Sequence, residues 1–348
     1  MRTFYSTFIT GFSEVVRQAL SNNLKDVKID RLSDGLIIYQ TKAEIDTIKK
    51  LRFFNNSFFL LNHFPKLGSN PINEMFRQTI CNKELIPKIQ AIIPKKKTAF
   101  RIMASVENQF VAMDKNLLGR LENIISQERN LVLDRSKPEI EFLFLVRREG
   151  YGLFGLRLTR HPSYEKILEK GEIYPELAHL LCLISEPRAD DIFLDPFCGS
   201  GAIFLARAKG FLYKTIYASD IDKEHVNKAK IKIKKYPKIV IEQQDALNLN
   251  SFGNNSMDKI VTDPPWGLYS GKELNLNDFY EKMLTELWRV LKINGVMVIL
   301  VAKKELFETM LNKLSDKLSL LIKYDTLVSG QKAGVYKIKK LQLKQALT

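Results

Sequence analysis

The chain has 348 residues, a formal net charge of +15 and 45% hydrophobic content, which is long enough for two or three domains with real cores. No run of 18 apolar residues occurs and the first 20 residues lack the apolar segment of a secretory signal, so neither a membrane span nor export is expected. Three cysteines, Cys81, Cys182 and Cys198, and four histidines show no metal-ligand spacing; this fits a reducing, cytoplasmic compartment and sets aside a structural zinc. Apolar alternation predicts strands over residues 4–8, 27–32 and 35–39, the last two across an Asp-Gly turn, with helical patterns over 13–20 and 43–49. Together these outline a small split β-α-β unit. The aromatic run 53–59 has the density of core rather than of a base-stacking surface.

A second unit follows, with strands over 100–105, 131–133, 139–147 and 151–158, a helix over 115–126, and a turn at Pro138. Charge is unevenly spread between these units and the rest. Residues 1–160 carry 26 basic and 16 acidic side chains, a net +10, whereas residues 161–348 carry 28 and 23, a net +5. Residues 51–100 alone hold eight basic residues against two acidic ones. Such an excess outside the rest of the chain is the footprint of a polyanionic partner, although Lys95, Lys96 and Lys97 by themselves read as a solvated turn after Pro94.

From residue 192 the pattern changes to that of a ligand-binding α/β sheet. A buried strand, 192–195, runs into Asp195-Pro196-Phe197-Cys198-Gly199-Ser200-Gly201, followed by a helical pattern over 202–209. Glycines there let backbone approach a ligand, and the new helix presents free N–H groups. The spacing is not the Gly-x-Gly-x-x-Gly of dinucleotide folds, which favours a smaller zwitterionic ligand whose ammonium Asp195 can hold. Strands over 215–219, 239–242 and 257–262 lead to Asp220, Asp245 and Asp263. Ligands bind at the carboxyl ends of strands in open α/β sheets, and an acid about 20 residues past the glycine loop can accept from ribose hydroxyls. Cys198 reads as a small residue filling the loop, since no histidine lies near it in sequence to activate a thiol.

The fourth of these strands ends in Thr262-Asp263-Pro264-Pro265-Trp266-Gly267. A conjugated exocyclic amine is a poor nucleophile until acceptors draw its hydrogens out of the ring plane. Asp263 and the Pro264 carbonyl are candidate acceptors, the prolines bring no competing N–H, and Trp266 offers a ring face. A Pro-Pro turn alone has a bland structural reading; four acids at successive strand ends argue for a site.

In these motifs the chain resembles the Rossmann-fold S-adenosylmethionine-dependent amino-methyltransferases. The resemblance implies that Asp195, Gly199 and Gly201 line the methionine moiety with Phe197, that Asp220 meets the ribose, Ile221 the adenine face, and Asp245 with Ala246 the adenine amine. It implies that Asp263, Pro264, Pro265 and Trp266 hold the target nitrogen. The fold class implied is an α/β, seven-stranded doubly wound sheet with a C-terminal hairpin, drawing on strands near 296–301, 327 and 335–339. Upstream, Phe100-Arg101, Gly119, Leu133-Asp134 and Pro138 resemble a THUMP domain, with Glu107-Asn108-Gln109 where that family carries basic residues. This arrangement recurs in THUMP-containing tRNA guanine-N2 methyltransferases, which act in the acceptor stem, at position 6, or at the base of the D arm. The expected division is therefore a ferredoxin-like domain over 1–65, a THUMP RNA-binding domain over 66–158, a linker over 159–175 and a methyltransferase domain over 176–348. The expected partners are S-adenosylmethionine and structured RNA, above all tRNA, with no metal and no membrane, and the chain is expected to act as a monomer. Ribosomal RNA guanine-N2 methylation, DNA adenine-N6 methylation, and an RNA-binding protein with an inactive methyltransferase body stay open as alternatives. A polar loop over 272–278 is expected to shape the base pocket, and residues 173–177 to start a helix beside the methionine end.

Overall fold

The computed structural model describes residues 1–107, 109–159, 172–267 and 275–342, which fold around two sheets. The N-terminal part begins with β1 (Arg2–Thr7), α1 (Ser13–Asn23), β2 (Lys28–Ser33), β3 (Leu36–Thr41), α2 (Ile45–Lys49) and β4 (Asn56–Phe64). Its order β2-β3-β1-β4, antiparallel throughout, is ferredoxin-like. After α3 (Pro71–Ile80) and α4 (Leu85–Gln90) come β5 (Thr98–Val106), β6 (Gln109–Phe110), α5 (Lys115–Ser126), β7 (Leu131–Leu133), β8 (Ile140–Val146) and β9 (Gly152–Arg157). Strand β9 pairs with β4, so strands from both units form one continuous nine-stranded sheet.

Period-two alternation explains how this sheet packs. Phe4 and Phe59 enter the large core on the side covered by helices, while Tyr5 and Phe58 turn to the opposite face and stack 4.5 Å apart. Phe53, Phe54, Phe58 and Phe59 are all buried, as their density suggested. Burying each such ring contributes about 1.5–3 kcal/mol.

The second sheet is built from β10 (Ile192–Asp195), β11 (Thr215–Asp220), β12 (Ile239–Gln243), β13 (Met257–Thr262), β14 (Leu291–Val301), β15 (Leu318–Val328) and β16 (Gln331–Lys340). The strand order is β12-β11-β10-β13-β14-β16-β15, parallel as far as β14, with β16 and β15 closing as the antiparallel hairpin. Helices α6 (Pro175–Ile184), α7 (Ala202–Gly210), α8 (Lys223–Lys232), α9 (Leu276–Val290) and α10 (Lys304–Lys313) accompany it. The chain order reverses direction between β10 and β13, which opens a crevice at their carboxyl ends. Among the described residues no helix is long and apolar enough to cross a membrane.

Two expectations change. Strand β14 starts at Leu291 rather than at 296, because α9 ends at Val290 and runs into it without a turn. The loop expected over 272–278 is in part helix: Asn275 caps α9 by accepting from the Asn277 N–H, and residues 272–274 lie outside the described residues. Of the link expected over 159–175, residues 160–171 lie outside them too.

The two sheets meet where the loop after β1 touches the edge strand β15. Thr326 Oγ1 donates to the Thr10 carbonyl at 2.8 Å, and Phe12 lies against Tyr324, ring centroids 5.6 Å apart. Gly11 sits between them with φ +89°, and a Cβ there would stand 1.9 Å from the Asp325 carbonyl oxygen. Gly11→Ala is therefore expected to cost on the order of 2 kcal/mol or more, through left-handed strain together with the clash. A urea midpoint equal to that of the parent protein would show that this contact does not hold the two parts together.

Candidate functional site

The site forms at the carboxyl ends of β10, β11 and β13. Gly199 (φ +48°) and Gly201 (φ +106°) let the loop after β10 fold back before α7 begins. Three hydrogen bonds fix that loop: Cys198 N–H to the Ser219 carbonyl at 2.9 Å, Gly199 N–H to Asp220 Oδ2 at 2.8 Å, and Gly201 N–H to the Cys198 carbonyl at 2.8 Å. Asp220 thus braces the loop across the β10–β11 step. Its Oδ1 takes the Asp222 N–H at 2.9 Å and lies 3.4 Å from His225 Nδ1.

Asp195 is fully buried. Its Oδ1 accepts from Thr262 Oγ1 at 3.1 Å, tying β10 to β13, while Oδ2 has no hydrogen-bond partner among the described residues. Burial pushes the Asp195 carboxyl up to about 8, and the charges of Asp220 and Asp263 add to the rise. Asp263 keeps some exposed surface at the pocket mouth, but its carboxyl lies deep enough that desolvation raises it to about 7. Trp266 Nε1 donates to Asp263 Oδ1 at 2.7 Å and opposes that rise. This bond holds the half-buried indole against the corner, with Pro264 buried, Pro265 exposed and Gly267 at φ +74° completing the turn. Behind the corner, the Tyr280 hydroxyl of α9 is buried without a hydrogen-bond partner among the described residues. Burial raises it to about 12, and the Asp263 charge contributes.

The enclosed part of the site is small, about 100 Å³, and is lined by Asp195, Phe197, Gly199 and Asp263 together with Glu172, Ser200 and His225. Gly201 stands at the start of α7, where an added Cβ would strike the Phe204 ring. Ile221 is 67% exposed just past β11, in the open crevice beyond the pocket. Asp245 is exposed after β12 and turns its carboxylate to the Leu247 N–H at 2.9 Å, with Ala246 buried beside it. Three of the four strand-end acids therefore share one electrostatic neighbourhood and the fourth stands apart. Cys198 is buried, and desolvation pushes its thiol up, which suits loop filler and not a thiolate nucleophile. Sequence reasoning missed Glu172, Ser200, His225 and Tyr280. A signal existed for Glu172 alone, three residues ahead of the proline that opens α6.

The larger cavity lies elsewhere, on the nine-stranded sheet. It measures about 1000 Å³ and is lined by Arg101, Lys137, Arg147, Arg148 and Arg157 with three acids, Asp34, Glu107 and Glu141. Buried Glu141 is clamped between Arg101 and Arg157, the latter at 2.7 Å, so two guanidinium groups share one carboxylate. The Arg157 guanidinium lies 5.5 Å from the Phe58 ring, and Phe110, 67% exposed, stands on the groove wall. None of these cations comes from the basic stretch 51–100; they are spread over 101–157, where cations and acids nearly balance in the sequence.

Comparison with known proteins places this geometry. Residues 162–319 match a family model described as an RMKL-like methyltransferase domain. A probable tRNA (guanine(10)-N2)-dimethyltransferase of Methanothermococcus thermolithotrophicus is 32% identical over 137 residues, which is 37% of this chain and 81% of that protein. A tRNA (guanine(6)-N2)-methyltransferase of Thermus thermophilus is 26% identical over 216 residues, 60% of this chain and 64% of the relative. In two of the relatives the match spans 63% and 64% of their own length. The crystal structure of TrmN from Thermus thermophilus superposes with a TM-score of 0.78 at 20% identity, over 98% of this chain and all of that one, so the fold is shared across both sheets.

Proposed function

The chain belongs to the Rossmann-fold, S-adenosylmethionine-dependent tRNA guanine-N2 methyltransferase family, and from that premise we propose that it methylates the exocyclic N2 of a guanosine in tRNA. Position 6 of the acceptor stem is the first candidate and the base of the D arm the second. The observation that carries this reading is the juxtaposition of Asp263, on the Pro-Pro-Trp corner, with Asp195 and the glycine loop in one pocket.

The residues fit the cofactor. Among the described residues, Asp195 holds a buried carboxyl oxygen with no hydrogen-bond partner, as an ammonium site requires, and nothing lies within 4 Å of where a Gly199 Cβ would point. Asp195, Phe197, Gly199 and Gly201 would hold its amino-acid end; Asp220, Ile221, Asp245 and Ala246 would serve the nucleoside end along the open crevice. When bound, S-adenosylmethionine supplies an electrophilic methyl group. Asp263, already oriented by Trp266, accepts from the guanine amine together with the Pro264 carbonyl, and packing at Trp266 excludes water from the face of the base. Once nitrogen has become cationic its proton is acidic, and a carboxylate near pH 7 is a suitable acceptor. Positioning and water exclusion supply most of the acceleration, with no covalent enzyme intermediate.

The RNA must present its guanine outside the stack, at a cost of a few kcal/mol. We assign the offsetting contacts to the cationic groove, within the reading of residues 1–65 as a ferredoxin-like domain, 66–158 as a THUMP domain and 159–175 as the link to the catalytic part. The test is incubation with unmodified bulk tRNA and labelled cofactor, followed by mass spectrometry of the nucleosides. N2-methylguanosine is the expected product, and N6-methyladenosine in its place would overturn the base assignment.

Proton linkage supplies a second check on the cofactor. A carboxyl raised in the folded state stabilises the fold at low pH, and that contribution is lost as pH climbs from about 4 toward 7 and 8. An ammonium beside Asp195 favours the ionised form. S-Adenosylhomocysteine should therefore bind up to about tenfold more weakly for each pH unit below 8, with proton release to the buffer on binding. Calorimetry at pH 7 in buffers of different ionisation heat reads this directly. Zero proton exchange would remove Asp195 from the ammonium.

A further inference from the structure

Glu172 lines the catalytic pocket without standing at a strand end. It precedes α6, and its carboxylate reaches across to the glycine loop, where Oε1 accepts from Ser200 Oγ. The same loop is held from the other side by Lys232, whose Nζ donates to the Ser200 carbonyl at 2.7 Å. One oxygen of Glu172 is thereby oriented within the pocket wall.

The surrounding groups fix which end of a ligand meets that wall. Asp263 marks the reacting end, because the Pro-Pro corner carries it. Asp220, at the end of β11, and His225, in the first turn of α8, mark the nucleoside side. The rest of the lining is Asp195 and the glycine loop on one side and Glu172 with Ile173, bonded to that loop through Ser200, on the other, so the amino-acid end lies between them. An ammonium brings three N–H donors. Asp195 Oδ2, buried and unpartnered, can take one of them.

On the S-adenosylmethionine reading above, we propose that Glu172 supplies the second anionic acceptor, so that the cofactor's ammonium is held between Asp195 in the floor and Glu172 in the wall. Ser200 is the positioning residue that sets the Glu172 rotamer. A single acid would leave the ammonium's remaining donors to solvent at the pocket mouth.

The test compares S-adenosylhomocysteine with 5′-methylthioadenosine, which keeps the purine, ribose and thioether and lacks the whole amino-acid end. Calorimetry on Glu172→Gln, which preserves volume and the bond from Ser200, should show the homocysteine compound weakened about tenfold or more. Methylthioadenosine should bind it as it binds the parent, which also reports that the variant is folded. Equal weakening of both ligands, or unchanged affinity for S-adenosylhomocysteine, would overturn the proposal. Failure of the parent protein to bind S-adenosylhomocysteine would instead bring down the cofactor reading on which the proposal rests.

Discussion

Replacing Asp263 by Asn is expected to lower single-turnover methylation by at least about a thousandfold, the scale of a lost positioned acceptor and base. The substitution keeps the volume and leaves a carbonyl oxygen for Trp266 Nε1, whose bond to Asp263 measures 2.7 Å. What it removes is the acceptor facing the target: an amide N–H would be set against the guanine N–H, two donors with no acceptor between them. Asp263→Ala should be as inactive and should in addition free the indole. Affinity for S-adenosylhomocysteine should change by no more than about threefold in either variant, since the ammonium is assigned to the other acids. Stability gives an independent reading. Burial raises the Asp263 carboxyl to about 7, so an uncharged replacement relieves a desolvation penalty and melting should not fall. Turnover above a tenth of the parent value in Asp263→Asn would remove the carboxylate from the chemistry.

Affinity for tRNA is expected to fall about a thousandfold between 50 and 200 mM salt if some six phosphates are neutralised. The groove on the nine-stranded sheet supplies five cations toward that number. Arg101 and Arg157 are poor choices for a test, because removing either leaves buried Glu141 short of a partner. Lys137 and Arg148 are exposed on the same groove and free of that role. The double variant Lys137→Gln, Arg148→Gln should lower the logarithmic salt slope by about 1.5 and weaken all RNA sequences alike. Methylation of an isolated guanine nucleotide, where measurable, should be unaffected. A slope equal to that of the parent would place the phosphate contacts elsewhere, and a flat dependence would point away from nucleic acid.

Local chemistry carries the parts of this protein that were legible beforehand. Helix α5 falls over the predicted 115–126, the strand ends deliver Asp195, Asp220 and Asp263 where the apolar runs stop, and the terminal hairpin follows the Pro-Pro-Trp corner. These are short-range properties: period-two and period-3.6 burial, prolines without donors, and glycines in the left-handed region at 199 and 201. The β14 start and the 275–278 segment were misread because a helix passing directly into a strand, and an Asn cap after a polar stretch, leave no turn signal.

By itself, then, the sequence determined the elements, the acids at their ends, and the Asp263-Pro264-Pro265-Trp266 corner. Only the tertiary structure decided which of those acids meet. Parallel pairing of β10 with both β11 and β13 brings Asp195, Asp220 and Asp263 together, whereas Asp245, at the end of the edge strand β12, turns into its own loop. Glu172 joins through a fold-back from before α6, and the groove's cations converge from β5, β9 and the segments on either side of β8 although the most basic stretch of sequence contributes none. The physical reason is the same in each case. Strand order and register are set by how buried faces pack over long sequence separations, so the company a charged side chain keeps is a property of the assembled sheet.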